Sequence, residues 1–325
     1  MLNVSSDYPQ RGTGLTLFSE LPKSVDVYEV GPRDGLQNEL RALTTQAKAQ
    51  LINALVVSGL KRIEVSSFVS PRWIPQLADA EGLFALIGQP AGVTFSALVP
   101  NLKGLERAKA VDLREAAVFM SVTESHSKRN INKTVAEALR TVAEVSEAAL
   151  KAGMRVRCYL STVWGCPYEG KVPVESVVAL CKQLKGLGLY QLSLGDTIGV
   201  GTPKHVAQVL EALRADFRAE ELALHMHDTR GTALANVLVG LSMGVTTFDS
   251  SIGGLGGCPY APGAAGNLAT EDLVYMLEGI GVDCGVSLSK LVEAGEQAQA
   301  LIGRKLSGKY LQAALGERER TSPRS

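Results

Sequence analysis

Short runs of β-branched and other apolar residues recur along the chain, each followed by a longer segment whose apolar residues fall at helical spacing. The runs occupy 25–31, 62–68, 93–99, 115–122, 155–162, 190–196, 222–228 and 246–253. Residues 44–60 (TTQAKAQLINALVVSGL) illustrate the helical half: Leu51, Leu55 and Val56 share one face, and Gly59 stands near the stop. Eight such units in about 260 residues predict an α/β fold, a (β/α)8 TIM barrel. The competing plan, an open doubly wound sheet, normally uses fewer strands. It also lacks its fingerprint here, since no G-x-G-x-x-G follows the first strand. The expected organisation is a lead-in over 1–24, one catalytic barrel domain over 25–315 and a flexible polar tail over 316–325. Within the domain, 287–315 forms additional C-terminal helices.

Charge narrows the possible partners. The 325 residues hold 33 Lys+Arg and 33 Asp+Glu, so the formal net charge is zero and no global field draws nucleic acid or membrane. Aromatic residues are 5%, too few for stacking single-stranded nucleic acid along a platform. No run of about 18 apolar residues occurs, and the first residues lack the pattern of a secretory signal. The five cysteines, Cys158, Cys166, Cys181, Cys258 and Cys284, are odd in number and include no C-x-x-C pair. They predict free thiols in a reducing compartment, the cytoplasm. A small-molecule enzyme is the class that remains.

In a barrel, catalytic groups cluster where strands end and βα loops begin. The seventh run ends in His225-Met226-His227. Residues two apart on a strand face the same way, so the imidazoles form either a chelating pair for a divalent metal or two hydrogen-bonded core histidines. Only four histidines exist in the chain, which favours the metal. After the first run come Arg33 and Asp34, either a turn salt bridge or an oxyanion fork beside a carboxylate ligand. Glu64 on the second run, Asp196 on the sixth and Asp249 on the eighth each need a cation or donors nearby if buried. For Asp196 the alternative is a helix N-cap before Thr202-Pro203.

The eighth loop concentrates glycine: six of the chain's 33 lie between Gly253 and Gly266. Gly253, Gly254, Gly256 and Gly257 predict a mobile lid with Cys258 near its tip, as a proton donor or acceptor or as a passive thiol. Asn267 is either an amide-oxygen ligand or the cap of a helix over 268–280. The other four cysteines read as small apolar fillers.

Taken together, the segments 30–39 (VGPRDGLQNE), 67–73 (SFVSPRW), 193–199 (SLGDTIG), 225–229 (HMHDT) and 254–260 (GLGGCPY) resemble the hydroxymethylglutaryl-CoA lyase family, over about residues 25–305. The resemblance implies a metal-dependent retro-Claisen cleavage of 3-hydroxy-3-methylglutaryl-CoA to acetyl-CoA and acetoacetate, as in leucine degradation, with Mg2+ or Mn2+. It places metal ligands on Asp34, His225, His227 and Asn267, and other functional positions on Arg33, Glu64, Asp196 and Cys258. It also implies a small-molecule acyl-CoA substrate and a homodimer. On this chemistry Arg33 stabilises the thioester enolate oxygen, His225 or Asp34 takes the hydroxyl proton, and Cys258 serves the enolate carbon. Two related activities compete: a lyase for a longer-branched 3-hydroxyglutaryl-CoA, and an enzyme condensing an acyl-CoA with a keto acid. A metal hydrolase is disfavoured because H-x-H falls on the seventh run with no histidine after it.

Overall fold

The strands are buried on both faces, one against the helices and the other inside the barrel. The computed structural model describes residue 18 and residues 20–256 and 266–321. In it β1 (Asp26–Glu29), β2 (Arg62–Ser67), β3 (Thr94–Leu98) and β4 (Glu115–Ser121) continue through β5 (Arg155–Ser161), β6 (Gln191–Asp196), β7 (Leu222–Met226) and β8 (Thr247–Ser250). They pair in sequence order as a closed parallel barrel, with β1 returning to β8 in a register that sets Tyr28 opposite Asp249. This is the (β/α)8 TIM barrel that the alternation predicts.

Helices form the outer ring. They are α1 (Thr45–Val57), α2 (Ala80–Ile87), α3 (Leu102–Lys109), α4 (Glu124–Ile131) and α5 (Val135–Lys151), then α6 (Val174–Lys185), α7 (Pro203–Leu213), α8 (Ala233–Ser242) and α9 (Thr270–Gly279). In α1 the Thr44 hydroxyl caps the start by accepting from the Ala47 N–H, and Leu51, Ile52 and Leu55 are buried against the barrel. Gly59 follows the stop with φ +101°, and a Cβ there would lie 2.4 Å from the Gly285 carbonyl. Glycine alone fits that approach.

After the barrel come α10 (Leu288–Ile302) and α11 (Lys309–Thr321). Residues 316–321, expected as the start of a tail, continue α11, which is anchored by fully buried Leu311 and by Tyr310 stacked on Tyr275. Three strand ends also differ from the expected spans. The chain leaves β1 through a π-helical turn, Gly31–Gly35; β7 stops before His227; and a 3-10 turn, Ile252–Gly254, follows β8. Each departure is at the barrel end where the candidate residues collect.

Candidate active site

The site rests on a polar layer inside the barrel. Arg157 points inward from β5, is fully buried, and donates from Nη2 to Asp249 Oδ1 at 2.9 Å. Its guanidinium carbon lies 3.9 Å from the Tyr28 ring centre and 4.9 Å from that of Tyr159. Asp249 Oδ2 accepts from the Ser193 hydroxyl at 2.6 Å and lies 3.2 Å from His225 Nδ1. Burial pushes the Asp249 carboxyl up, but Arg157 and His225 outweigh it and hold the group below its usual range. Burial disfavours the charged form of His225, but the Asp249 contact prevails and its pKa is raised. With Asp249 behind Nδ1, the Nε2 of His225 is left facing the pocket.

Above this layer lie the residues singled out at the strand ends. The π-helical turn places Arg33 so that Nε donates to Glu64 Oε2 at 2.5 Å and Nη1 to Asp34 Oδ1 at 2.6 Å. Gly31, in that turn, leaves no room for a side chain, since a Cβ would lie 2.5 Å from Glu29 Oε1. Asp34 Oδ2 stands 4.0 Å from His225 Nε2 and accepts from the Asn267 amide at 2.8 Å. Burial would raise the Asp34 pKa, yet Arg33, His225 and Asn267 together hold it at about 2. His227 is driven the other way, to about 4, first by burial and then by His225. The imidazole centres are 5.5 Å apart.

Asp34, His225 and His227 each offer one ligand atom, all within 4.8 Å of one another. His227 Nδ1 is buried with no hydrogen-bond partner among the described residues, a costly state unless something fills it. One ionised carboxylate, two imidazoles and an orphaned buried nitrogen fit a divalent cation of hard or borderline character.

Other candidates fall differently. Asn267 does not cap the helix after it, because α9 begins at Thr270 with Ala269 at its N-cap. Its amide nitrogen bonds Asp34 and the Leu255 carbonyl instead, placing the side chain beside the cluster. Asp196 is not a helix cap either. Its two oxygens accept from the Val200 and Gly201 N–H groups at 3.0 and 2.8 Å, which ties down the β6–α7 loop, and it does not line the cavity.

The expected lid also changes. Gly253, Gly254 and Gly256 are buried, and the Gly253 N–H donates to Glu271 while its carbonyl accepts from Gly308. A Cβ on Gly256, at φ +101°, would lie 2.5 Å from the Asn267 amide nitrogen. At these three positions close packing itself calls for glycine. Gly257 and Cys258 lie outside the described residues. Among the remaining cysteines, Cys158, Cys166 and Cys181 are buried and Cys284 partly so; burial pushes the Cys181 thiol up to about 12.

A cavity of about 650 Å³ opens onto the cluster. It is lined at one pole by Arg33, Asp34, Tyr159, His225 and His227, and elsewhere by Trp73, Val118, Val142, Val145 and Leu160. Arg157, Tyr159 and Ser193 were not predicted as site residues. They lie within β5 and β6 rather than at strand ends; their inward-facing alternation, Arg157-x-Tyr159, was the available signal.

The family model described as HMGL-like matches residues 24–297. A curated hydroxymethylglutaryl-CoA lyase of Bacillus subtilis is 52% identical over 291 residues, covering 90% of this chain and 97% of that protein. The human mitochondrial enzyme of that name is 47% identical over 303 residues, 93% of each. The crystal structure of the B. subtilis HMG-CoA lyase superposes with a TM-score of 0.89 at 51% identity, covering 91% of this chain and 99% of that one. A further HMG-CoA lyase structure, from Acinetobacter baumannii in complex with coenzyme A and 3-methylmalate, gives 0.85 at 36% identity, covering 93% and 97%. With a matching barrel, a carboxylate–imidazole cluster at its mouth and relatives this similar over nearly the whole length, the chain belongs to the HMGL-like family, among the hydroxymethylglutaryl-CoA lyases.

Proposed function

We propose that the protein cleaves 3-hydroxy-3-methylglutaryl-CoA to acetyl-CoA and acetoacetate. The observation that carries this reading is the Asp34–His225–His227 cluster beside the paired guanidinium of Arg33, at one pole of a cavity of about 650 Å³. Asp34, His225, His227 and Asn267 would hold a divalent cation, Mg2+ or Mn2+, which supplies Lewis-acid polarisation at the C3 oxygen and orients the acyl group.

The chain's own groups handle the proton and the developing charge. The C3 hydroxyl proton leaves toward Asp34 and His225, whose facing atoms are 4.0 Å apart. As the C3–O bond becomes a carbonyl, the C2–C3 bond breaks and its electron pair passes to C2. The result is the enolate of acetyl-CoA and a molecule of acetoacetate. Arg33 is fixed through Nε by Glu64 and through Nη1 by Asp34, which leaves Nη2 to donate to the enolate oxygen. The Tyr159 ring, 5.3 Å from the Arg33 guanidinium carbon, walls that position from water. Asp196 acts at a distance, by holding the loop after β6.

Cys258 returns a proton to C2. Supporting this, the segment that bears it starts and ends at the site: Gly256 accepts from the Asn267 N–H, and Gly266 accepts from the Asp228 N–H. A reducing, cytoplasmic setting accords with free cysteines among the described residues, where no helix is long and apolar enough to cross a membrane.

The test is direct: purified protein with Mg2+ or Mn2+ and 3-hydroxy-3-methylglutaryl-CoA yields acetoacetate and acetyl-CoA in equal amounts. Absence of both products at every metal concentration refutes the reading. Activity on a longer C3 branch is favoured by one feature, the apolar walls of Val118, Val142, Val145 and Leu160 in the same cavity. Comparing kcat/KM for 3-methyl and longer 3-alkyl substrates decides between the two.

A further inference from the structure

The loop after β2 is anchored on both sides yet holds an indole out in solvent. Upstream, the Val69 N–H donates to Ser67 Oγ at 3.2 Å, and Arg107 Nη1 donates to the Val69 carbonyl at 3.1 Å. Downstream, the buried ammonium of Lys48 donates to the Gln76 carbonyl at 2.5 Å and pairs with Asp79 at 2.6 Å. Between these anchors the Trp73 N–H closes a turn onto the Ser70 carbonyl at 2.9 Å. Trp73 itself is 72% exposed, whereas the chain's other tryptophan, Trp164, is 7% exposed.

The exposed indole is not isolated from the site. It lines the same cavity that reaches Asp34, His225 and His227, and Arg72 is exposed beside it. We propose that Trp73 is the stacking platform for the adenine ring of the acyl-CoA. The occupant rests on the lyase reading given above. An acyl group held at the carboxylate–imidazole pole must send its CoA arm out through the cavity. A flat nucleobase is the part of that arm whose face matches an indole. A rigid loop suits this role, since the platform is in place before the ligand arrives and little ordering is lost on binding. With zero formal net charge on the chain, recognition of CoA has to be local, and Lys133 lines the same cavity as the indole.

The experiment compares two thioesters carrying the same acyl group, one on CoA and one on pantetheine, which lacks the nucleotide. Trp73→Ala should raise KM for the CoA thioester on the order of tenfold, leaving kcat and the KM for the pantetheine thioester nearly unchanged. Trp73→Phe, which restores an aromatic face, should recover most of the loss. Free CoA should quench the emission of the wild-type protein but not that of Trp73→Ala, which retains Trp164. This binding signal needs no turnover, so it fails or succeeds independently of acetoacetate formation. An equal KM rise for both thioesters, no rise for either, or unchanged quenching in Trp73→Ala overturns the proposal. So does a variant that lowers the mass of the particle in solution, which would assign the indole to a contact between subunits.

Discussion

Two polar layers stand one above the other in the barrel, and they differ in how their groups are spent. In the lower layer, charges face opposite charges or donors, although Arg157 Nε and Glu115 Oε2 find no hydrogen bond among the described residues: Arg157 faces Asp249, which also takes the Ser193 hydroxyl, and Tyr28 donates to Glu115 at 2.6 Å. In the upper layer, Arg33 is paired on two nitrogens, but His227 Nδ1 has no partner among the described residues and Asp34 stays ionised with a pKa of about 2. A buried polar group left over at the mouth of a cavity is a place for a ligand, whereas one already matched is scaffold. Asp249 connects the layers through His225.

Breaking the lower layer should cost the fold. Arg157→Met leaves Asp249 buried without its cation, and urea unfolding should show a loss of about 3–5 kcal/mol. Breaking the upper layer should cost chemistry instead. Arg33→Lys keeps a charge opposite Glu64 but loses the fork, so kcat/KM should fall about 10²-fold or more while stability changes by less than about 1 kcal/mol. The connecting residue should show an intermediate effect. Asp249→Asn weakens the hold on His225, and calorimetric titration with Mn2+ should show affinity lower by about 10–100-fold. A large loss of stability in Arg33→Lys, or none in Arg157→Met, would dissolve the distinction between the layers.

The smallest effect concerns a pair of carboxyls behind the site. Burial raises Glu29 to about 7 and Glu271 to about 8, against an ordinary value of 4.5. Because the folded pKa is the higher one, the folded state binds more protons between these values. Stability should therefore be greatest on the acid side of 4.5 and decline as pH rises toward 8. Glu271→Gln keeps an acceptor for the Gly253 N–H and removes the charge. Thermal unfolding across pH 5–9 should then show a decline shallower by about 1–2 kcal/mol.

Much of this was legible in the sequence because the barrel imposes a simple grammar. Eight apolar runs alternate with helical segments, and the ionisable residues at their ends meet at one mouth. Arg33, Asp34, Glu64, His225 and His227 converge there as their strand positions suggest. Local backbone chemistry was harder to read. The π-helical turn at Gly31–Gly35 and the 3-10 turn at Ile252–Gly254 have no periodic signature, and the close packing of Gly253 on Leu306 and of Gly256 on Asn267 was not visible in a run of glycines. Asp196 has the composition of a cap, but its acceptors are spent on two N–H groups within the loop. The lower layer was missed for another reason. A buried arginine in the middle of a strand carries no linear motif, and Arg157 finds Asp249 only when residues 92 apart in sequence meet across the barrel.

On the proposed reading, Asp34, His225 and His227 form one divalent-metal site serving acyl-CoA cleavage. Mn2+ binding to metal-stripped protein, followed by electron paramagnetic resonance in wild type and in His227→Ala, tests it most directly. One ion per chain is expected in the wild type and an affinity at least about tenfold lower in the variant, with both proteins folded. Equal affinity in the two, or no stoichiometric Mn2+ in the wild type, would contradict it.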